Sequence, residues 1–143
     1  MRNIILLSLC MLAGIMANAQ TNLAVKTKSY NFTISAPAGT TVAEQFGQLD
    51  LTGGNTYHLE VSVGDANSVS AKKAELAKNA QYNFKAYIKD TPEGFLYSTT
   101  LGTTHLFYAK KVGDKILVFE DFKTAHYTDA QEQAMFDSAK SAK

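Results

Sequence analysis

The chain has 143 residues, with 14 lysines and arginines against 13 acidic residues and a formal net charge of +1. Nucleic-acid binding usually leaves a basic footprint, so this balance argues against nucleic acid and acidic membranes as partners. With a single cysteine the chain cannot form an internal disulfide, and it contains no tryptophan.

The first 19 residues predict a secretory signal peptide. Arg2 and the amino terminus form a positive head, residues 4–16 are an apolar run, and residues 17–19 read Ala-Asn-Ala. The run is shorter than the roughly 20 apolar residues that a membrane-spanning helix needs. Its apolar character on all sides also argues against a buried amphipathic helix. We therefore expect cleavage between Ala19 and Gln20 and a periplasmic or secreted protein.

The predicted cleavage changes the chemistry of the chain. It removes Cys10, the only cysteine, and Arg2, the only arginine, and leaves 13 lysines against 13 acidic residues. The mature chain then has no thiol nucleophile or thiolate metal ligand, and it lacks the residue best suited to bidentate phosphate binding. Cys10 also lies inside the apolar run rather than at its end, so no lipoprotein is expected. We expect no cofactor and no transmembrane segment in the mature chain.

The sequence of the mature chain predicts a flexible arm over residues 20–28, where apolar residues show no periodic spacing. It predicts a single domain over residues 29–143. Strands are predicted where apolar residues alternate with polar ones. Three precede the first helix, over residues 30–35, 46–51 and 57–63. The turn signal Gly53-Gly54-Asn55 joins the second and third of them into a hairpin.

The sequence of the second half of the domain predicts a helix, then four strands, then a second helix. Residues 69–81 are rich in helix formers. The strands follow over residues 82–88, 95–101, 105–110 and 116–120. The last helix runs from Asp129 to about Ala139, with Thr128 and Gln131 matching a capping box. Strands joined by short turns pair antiparallel. The order βββαββββα therefore predicts an α+β domain, an antiparallel sheet of about six to seven strands with two helices packed on one face.

Three segments carry a resemblance to a known family: "YNFTISAPAG", "VGDKILVFEDF" and "DAQEQAMFDSAKS". With the order of elements, they resemble the PsbP-like superfamily over roughly residues 30–141. The resemblance implies a binding or assembly module rather than an enzyme. The family often has a tryptophan soon after the proline of its first strand, which this chain lacks, and no functional residue carries over. The "ANAQ" junction also resembles exported proteins of the Bacteroidetes.

Few residues suggest a metal site or a catalytic site. His58 and Glu60 lie two apart on one face of a strand, which makes half of a metal site. His105 and His126 lie elsewhere in the sequence, and no metal-ligand spacing occurs, so no metal site is expected. Residues 120 and 121 are adjacent carboxylates that point to opposite faces of a strand. The sequence holds no phosphate-binding loop and no nucleophile elbow, so no catalytic residue is assigned.

Two further features suggest an interaction surface and a modification. Tyr87, Phe95 and Tyr97 lie near one turn, and they form an exposed interaction patch if the outer sheet face is uncovered. Core packing is the alternative interpretation of these aromatic residues. Ser138, in the sequence Asp137-Ser138-Ala139, matches an acceptor pattern that resembles Bacteroidetes O-glycosylation.

Together these features predict an exported, non-enzymatic binding or assembly module of the bacterial cell envelope. Its partner is expected to be another envelope protein or a small apolar ligand held between the sheet and the helices. One alternative is a hydrolase of an envelope polymer that uses His58, His105 or Glu120. Another is a structural or stress protein without a ligand.

Overall fold

A computed structural model describes residues 19–143. The predicted signal peptide, up to Asn18, lies outside the described residues. The strands are β1 (Gln20–Lys26), β2 (Asn31–Pro37), β3 (Thr41–Gln45), β4 (Gln48–Gly53), β5 (Tyr57–Gly64), β6 (Phe84–Thr91), β7 (Gly94–Thr99), β8 (Thr104–Val112) and β9 (Lys115–Asp121). The helices are α1 (Ser68–Lys78) and α2 (Asp129–Ser141), and a 3-10 turn, Ala80–Tyr82, follows α1.

Seven of these strands form one antiparallel sheet in the order β3-β4-β5-β9-β8-β7-β6. Strands β1 and β2 pair only with each other, as a separate two-stranded sheet. Within the large sheet, β3 to β5 and β6 to β9 are runs of consecutive hairpins. The two runs meet where β5 pairs with β9, from Leu59 opposite Asp121 to Gly64 opposite Ile116. The predicted α+β class is confirmed.

The two helices lie on opposite faces of the large sheet, which corrects the prediction that both pack on one face. Successive residues of β8 point to opposite faces. Tyr108 packs edge-on against Phe136 of α2, with ring centroids 5.1 Å apart. The next residue back, Phe107, shares a separate core cluster with Leu76 of α1. The central strands are apolar on both faces, so their sequence does not say which face a helix covers.

Strand β1 replaces the flexible arm predicted over residues 20–28. It pairs with β2 along its whole length, and Val25, opposite Phe32, is completely buried. The segment lacks a clear apolar period because most of its side chains stay exposed. Its backbone is ordered by hydrogen bonds to β2, and the strand propensities of its own residues do not reveal that pairing.

A tight hairpin turn separates β3 from β4, where the sequence predicts a single strand over residues 46–51. Phe46 and Gly47 both have positive φ, 52° and 80°. Two successive left-handed residues form the turn whose twist suits a two-residue hairpin. Strand β3 escapes prediction because its sequence TVAEQ shows no apolar alternation and buries little.

The larger core lies between the sheet and the layer formed by α2 with the β1–β2 hairpin. Met135, Phe136 and Ala139 of α2 are buried in it. The chain end continues this layer, because Lys143 exchanges two backbone hydrogen bonds with Thr33 of β2, at 2.9 and 3.0 Å. Among the described residues, none of the helices combines the length and the hydropathy required to cross a bilayer.

The capping box of α2 gives a first testable prediction. The Thr128 hydroxyl accepts from the Gln131 N–H at 3.2 Å, and the Gln131 side chain accepts from the Thr128 N–H at 2.8 Å. We expect Thr128→Ala to lower the free energy of unfolding by about 1 kcal/mol in denaturant titrations, because one helix donor loses its acceptor. Thr128→Ser keeps the hydroxyl and should lose less than half as much. Equal losses in both variants would contradict a role for the cap.

Candidate functional site

Three titratable side chains from three elements meet at the end of the large sheet. His105 belongs to β8, Asp121 ends β9, and Glu132 lies in the first turn of α2. One ring nitrogen of His105 and one oxygen from each carboxylate lie within 4.8 Å of one another. We call these three residues the polar cluster. It is assembled only in the folded chain, since its members are far apart in sequence.

Asp121 lies where β8 and β9 separate. The β8–β9 register stops at Phe107 opposite Glu120, whereas β9 stays paired with β5 through Asp121. In the gap, the Asp121 carboxylate accepts the Leu106 backbone N–H through Oδ1 at 3.1 Å. Its Oδ2 lies 2.7 Å from His105 Nδ1. This completely buried carboxylate therefore has a partner for each oxygen.

The His105 ring is held from its other side by two threonines. Its Nε2 lies 2.9 Å from the Thr103 hydroxyl, which lies 2.7 Å from the Thr99 hydroxyl. The ring also packs against Tyr97, with centroids 5.5 Å apart. Both nitrogens of the imidazole are thus hydrogen-bonded, which fixes the orientation of the ring.

Glu132 is the member of the polar cluster that the fold does not explain. Its side chain is completely buried, and neither carboxylate oxygen has a hydrogen-bond partner among the described residues. Burial raises the pKa of this carboxyl to about 9, with smaller contributions from the carboxylates of Asp121 and Asp129. Buried polar side chains almost always have a partner, so an exception marks a place where an ion or ligand could supply one.

A cavity of about 240 Å³ reaches one member of the polar cluster, His105, from outside, whereas Asp121 and Glu132 lie behind its lining. It lies between the 3-10 turn, the β7–β8 turn and the segment after β9. Among the residues that line it are Tyr82, Thr99, Thr103, His105, Lys123 and His126. His126, which has no sequence motif around it, therefore shares a cavity with His105.

The structure places the other sequence-predicted residues in separate environments. His58 lies on the open face of β5 with Asp50 and Glu60, and its Nε2 is 3.4 Å from Asp50 Oδ1. Its ring stacks on Phe122 with centroids 4.7 Å apart. We call Asp50, His58 and Glu60 the surface cluster. Burial, followed by the charge of Asp50, raises the pKa of Glu60 above its usual range.

Glu120 is held by lysines and does not join either histidine. Its carboxylate lies 3.1 Å from the amino groups of both Lys72 and Lys123. Lys72 is itself largely buried under the rings of Tyr82 and Phe107. The three residues named for the hydrolase alternative therefore occupy three different charge environments.

The predicted interaction patch is part of the second core. Phe95 and Tyr97 are 0% and 2% exposed, because α1 covers this face of the sheet. Tyr87 is half-buried and packs edge-on against Phe95, with centroids 5.2 Å apart. The core-packing interpretation is therefore the correct one for Phe95 and Tyr97.

The predicted acceptor for O-glycosylation is also inside the protein. Ser138 is 1% exposed, and its hydroxyl lies 2.7 Å from the Tyr57 hydroxyl and donates to the Ser35 carbonyl. A glycan does not fit at this position in the folded chain. The three-residue pattern was misleading because it does not say which face of α2 the serine occupies.

Sequence reasoning missed the polar cluster, although one signal was present. In α2 the buried residues include Glu132, Met135, Phe136 and Ala139. These positions form the i, i+3, i+4, i+7 stripe of a helix that packs on a core. A glutamate on that stripe predicts a buried carboxylate. The sequence does not show that His105 and Asp121 lie opposite it.

Comparisons of the chain with protein-family models, with curated proteins and with solved structures find no match in any of the three. The resemblance to the PsbP-like superfamily accordingly stays a prediction.

Proposed function

We propose that the chain is an exported, non-enzymatic binding module of the bacterial cell envelope, and that it binds its ligand at the polar cluster and the adjoining cavity. The observation that carries this proposal is the buried and unpartnered carboxylate of Glu132. A stable fold gains nothing from such a group, because its desolvation costs about 1 to 3 kcal/mol. Binding sites keep groups of this kind because a ligand supplies the missing partner.

The chemistry of the site favours a small polar ligand over the apolar ligand expected from the sequence. The spaces between the sheet and the helices are filled by the two cores. The largely apolar depression beside Pro37, Tyr57 and Ala134 lies at the edge of α2 and holds no buried polar group that calls for a partner. The cavity at His105 instead brings hydroxyl, imidazole and amino groups together beside the apolar side chain of Leu101.

Mass spectrometry under native conditions tests the proposal. The protein, exported from a bacterial host and purified without chelator, should carry a bound species that denaturation releases. Glu132→Gln should lose that species, whereas His58→Ala, in the surface cluster, should keep it. A pull-down from envelope extract then asks whether a protein partner depends on the same residue. If wild-type protein carries nothing in either experiment, the binding-module proposal is wrong.

One observation favours a hydrolase as a second candidate function. The Thr103 hydroxyl, His105 and Asp121 form a hydrogen-bonded series, with 2.9 Å from the hydroxyl to Nε2 and 2.7 Å from Nδ1 to the carboxylate. This is the order of nucleophile, base and orienting acid in a catalytic triad. However, the Thr103 N–H, which could stabilise an oxyanion, already donates to the Thr99 hydroxyl.

An active-site probe separates the two candidates. A fluorophosphonate that reacts with activated hydroxyls should leave the wild-type protein unlabelled if binding is the function. Labelling of wild type that disappears in Thr103→Ala, and in Asp121→Asn, would establish the hydrolase instead.

A further inference from the structure

The polar cluster contains the donor set of a metal site. Its atoms are one imidazole nitrogen and two carboxylate oxygens, contributed by β8, β9 and α2 and all within 4.8 Å of one another. We propose that this site binds a divalent transition-metal ion of the zinc class through His105 Nδ1, Asp121 Oδ2 and one oxygen of Glu132. This inference rests on the proposed function, because it names the ligand of the same site.

Glu132 is the reason to expect a cation here. A completely buried carboxyl with no hydrogen-bond donor among the described residues keeps its proton, and it ionises at neutral pH only when a positive ion lies beside it. Two carboxylates carry the charge that balances one divalent cation. A mixture of imidazole and carboxylate ligands suits zinc, whereas calcium and magnesium prefer oxygen ligands alone.

Neighbouring groups already orient two of the three proposed ligands, His105 and Asp121, by hydrogen bonds of the kind found in metal sites. Ligating histidines donate their other ring N–H to a fixed acceptor, and here Nε2 faces the Thr103 hydroxyl at 2.9 Å. That arrangement leaves the lone pair of Nδ1 for the metal, and the Thr103 hydroxyl can in turn donate to Thr99. Asp121 is similarly held through one oxygen, Oδ1, by the Leu106 N–H. Its Oδ2 is then available for the ion.

The adjustment needed for binding is small. Ligand atoms of a tetrahedral zinc ion lie roughly 3.3 Å apart, since each bond is about 2.0 to 2.2 Å long. The distance from His105 Nδ1 to Asp121 Oδ2 is 2.7 Å and has to widen slightly. The Glu132 oxygen, which lies within 4.8 Å of the other two ligand atoms, has to close the remaining distance, and a side-chain rotation can supply that movement. Three protein ligands leave the fourth position of the ion to water or to an outside ligand.

The surface cluster provides a matched comparison within the same chain. Asp50, His58 and Glu60 offer the same types of ligand atom, also within 4.8 Å of one another, and all three are only partly buried. Partly buried acidic groups gain less from an ion than completely buried ones, because water still solvates part of their surface. The proposal therefore assigns the metal to the polar cluster and not to the surface cluster.

Metal titrations of the chelator-treated full-length mature protein test the assignment. Zinc chloride should bind with a stoichiometry of one in calorimetry and raise the unfolding temperature by several degrees. Glu132→Gln is isosteric and should weaken zinc binding by about 100-fold, with little zinc-dependent change in unfolding temperature. His58→Ala should bind zinc like the wild type. Magnesium chloride, used as a hard-cation probe, should have no effect at equal concentration.

Each other outcome is decisive as well. If zinc does not bind the wild type, or if Glu132→Gln binds it unchanged, the metal assignment is overturned. If His58→Ala alone loses the zinc, the metal belongs to the surface cluster and the assignment is again wrong. A failed titration together with a native-mass species that Glu132→Gln loses would refute the metal and leave the binding module intact. A bare protein in both experiments would refute both.

Discussion

Metal-free Glu132→Gln should be more stable than the metal-free wild-type protein at pH 8, by about 3 to 5 kcal/mol. Most substitutions of a fully buried residue destabilise a protein, so the sign is the informative part of the result. The glutamine keeps the shape of the side chain but carries no ionisable group. The measurement is the free energy of unfolding in urea for both proteins, after dialysis against a chelator.

The size of this difference should depend on pH. Burial, with Asp121 and Asp129 nearby, raises the pKa of Glu132 to about 9 in the folded chain. His105 and Tyr127 also face this region of the fold. Because the folded chain holds the Glu132 proton more tightly than the unfolded chain does, the free energy of unfolding of the wild type is highest below about pH 4.5. It falls as the pH rises to about 9. The advantage of Glu132→Gln should therefore be small near pH 4.5 and grow toward pH 9.

The exposed Glu93 provides the control for this series. Glu93→Gln should change the free energy of unfolding by less than about 0.5 kcal/mol across the same pH range. If Glu132→Gln is less stable than wild type at every pH, the carboxylate has a structural partner after all. Gain of stability with loss of zinc binding would show that the residue is kept for the ligand and at the expense of the fold.

Phe95→Ala should lower the free energy of unfolding by about 3 to 5 kcal/mol, because it removes a ring from a closed core. Phe95 has no exposed surface, and its ring stacks on Phe107 with centroids 5.5 Å apart. The amino group of Lys73 lies 5.6 Å from the centroid of the Phe95 ring, and this contact does not change the expected loss. Thermal unfolding followed by circular dichroism measures the loss.

Ile88→Ala on the neighbouring strand β6 is the matched control. Ile88 is 56% exposed, so its truncation should cost less than about 1 kcal/mol. Similar small losses in both variants would mean that α1 does not cover this face of the sheet. Such a result would restore the exposed aromatic patch as the better interpretation of Phe95 and Tyr97.

The sequence reveals an element well where local chemistry and tertiary packing agree. Strand β5 alternates cleanly because one of its faces is buried and the other is open. The capping box of α2 is a local device, so Thr128 and Gln131 are enough to place the start of the helix. In β7 and the first six residues of β8 nearly every residue is buried, and a continuous buried run does not say which helix covers which face.

The candidate site was less predictable than the fold for a geometric reason. His105 and Asp121 meet only because the pairing of β8 with β9 ends just before them. No signal in the sequence marks the residue at which that pairing ends. Glu132 could have been found as a glutamate on an apolar stripe. Its lack of a partner depends on every side chain around it, which no local pattern describes.

The single pairing of β5 with β9 has a consequence for how the protein folds. The hairpins on either side of it join neighbouring segments, so they can form rapidly and independently. Closing the sheet requires Leu59 to meet Asp121, which lies about 60 residues further along the chain, and such distant contacts form slowly. Because Asp121 is also the central member of the polar cluster, the site is completed only in this late step. A chain that is made from its amino terminus onward therefore acquires its fold and its site together, after β9 and α2 have both been synthesised.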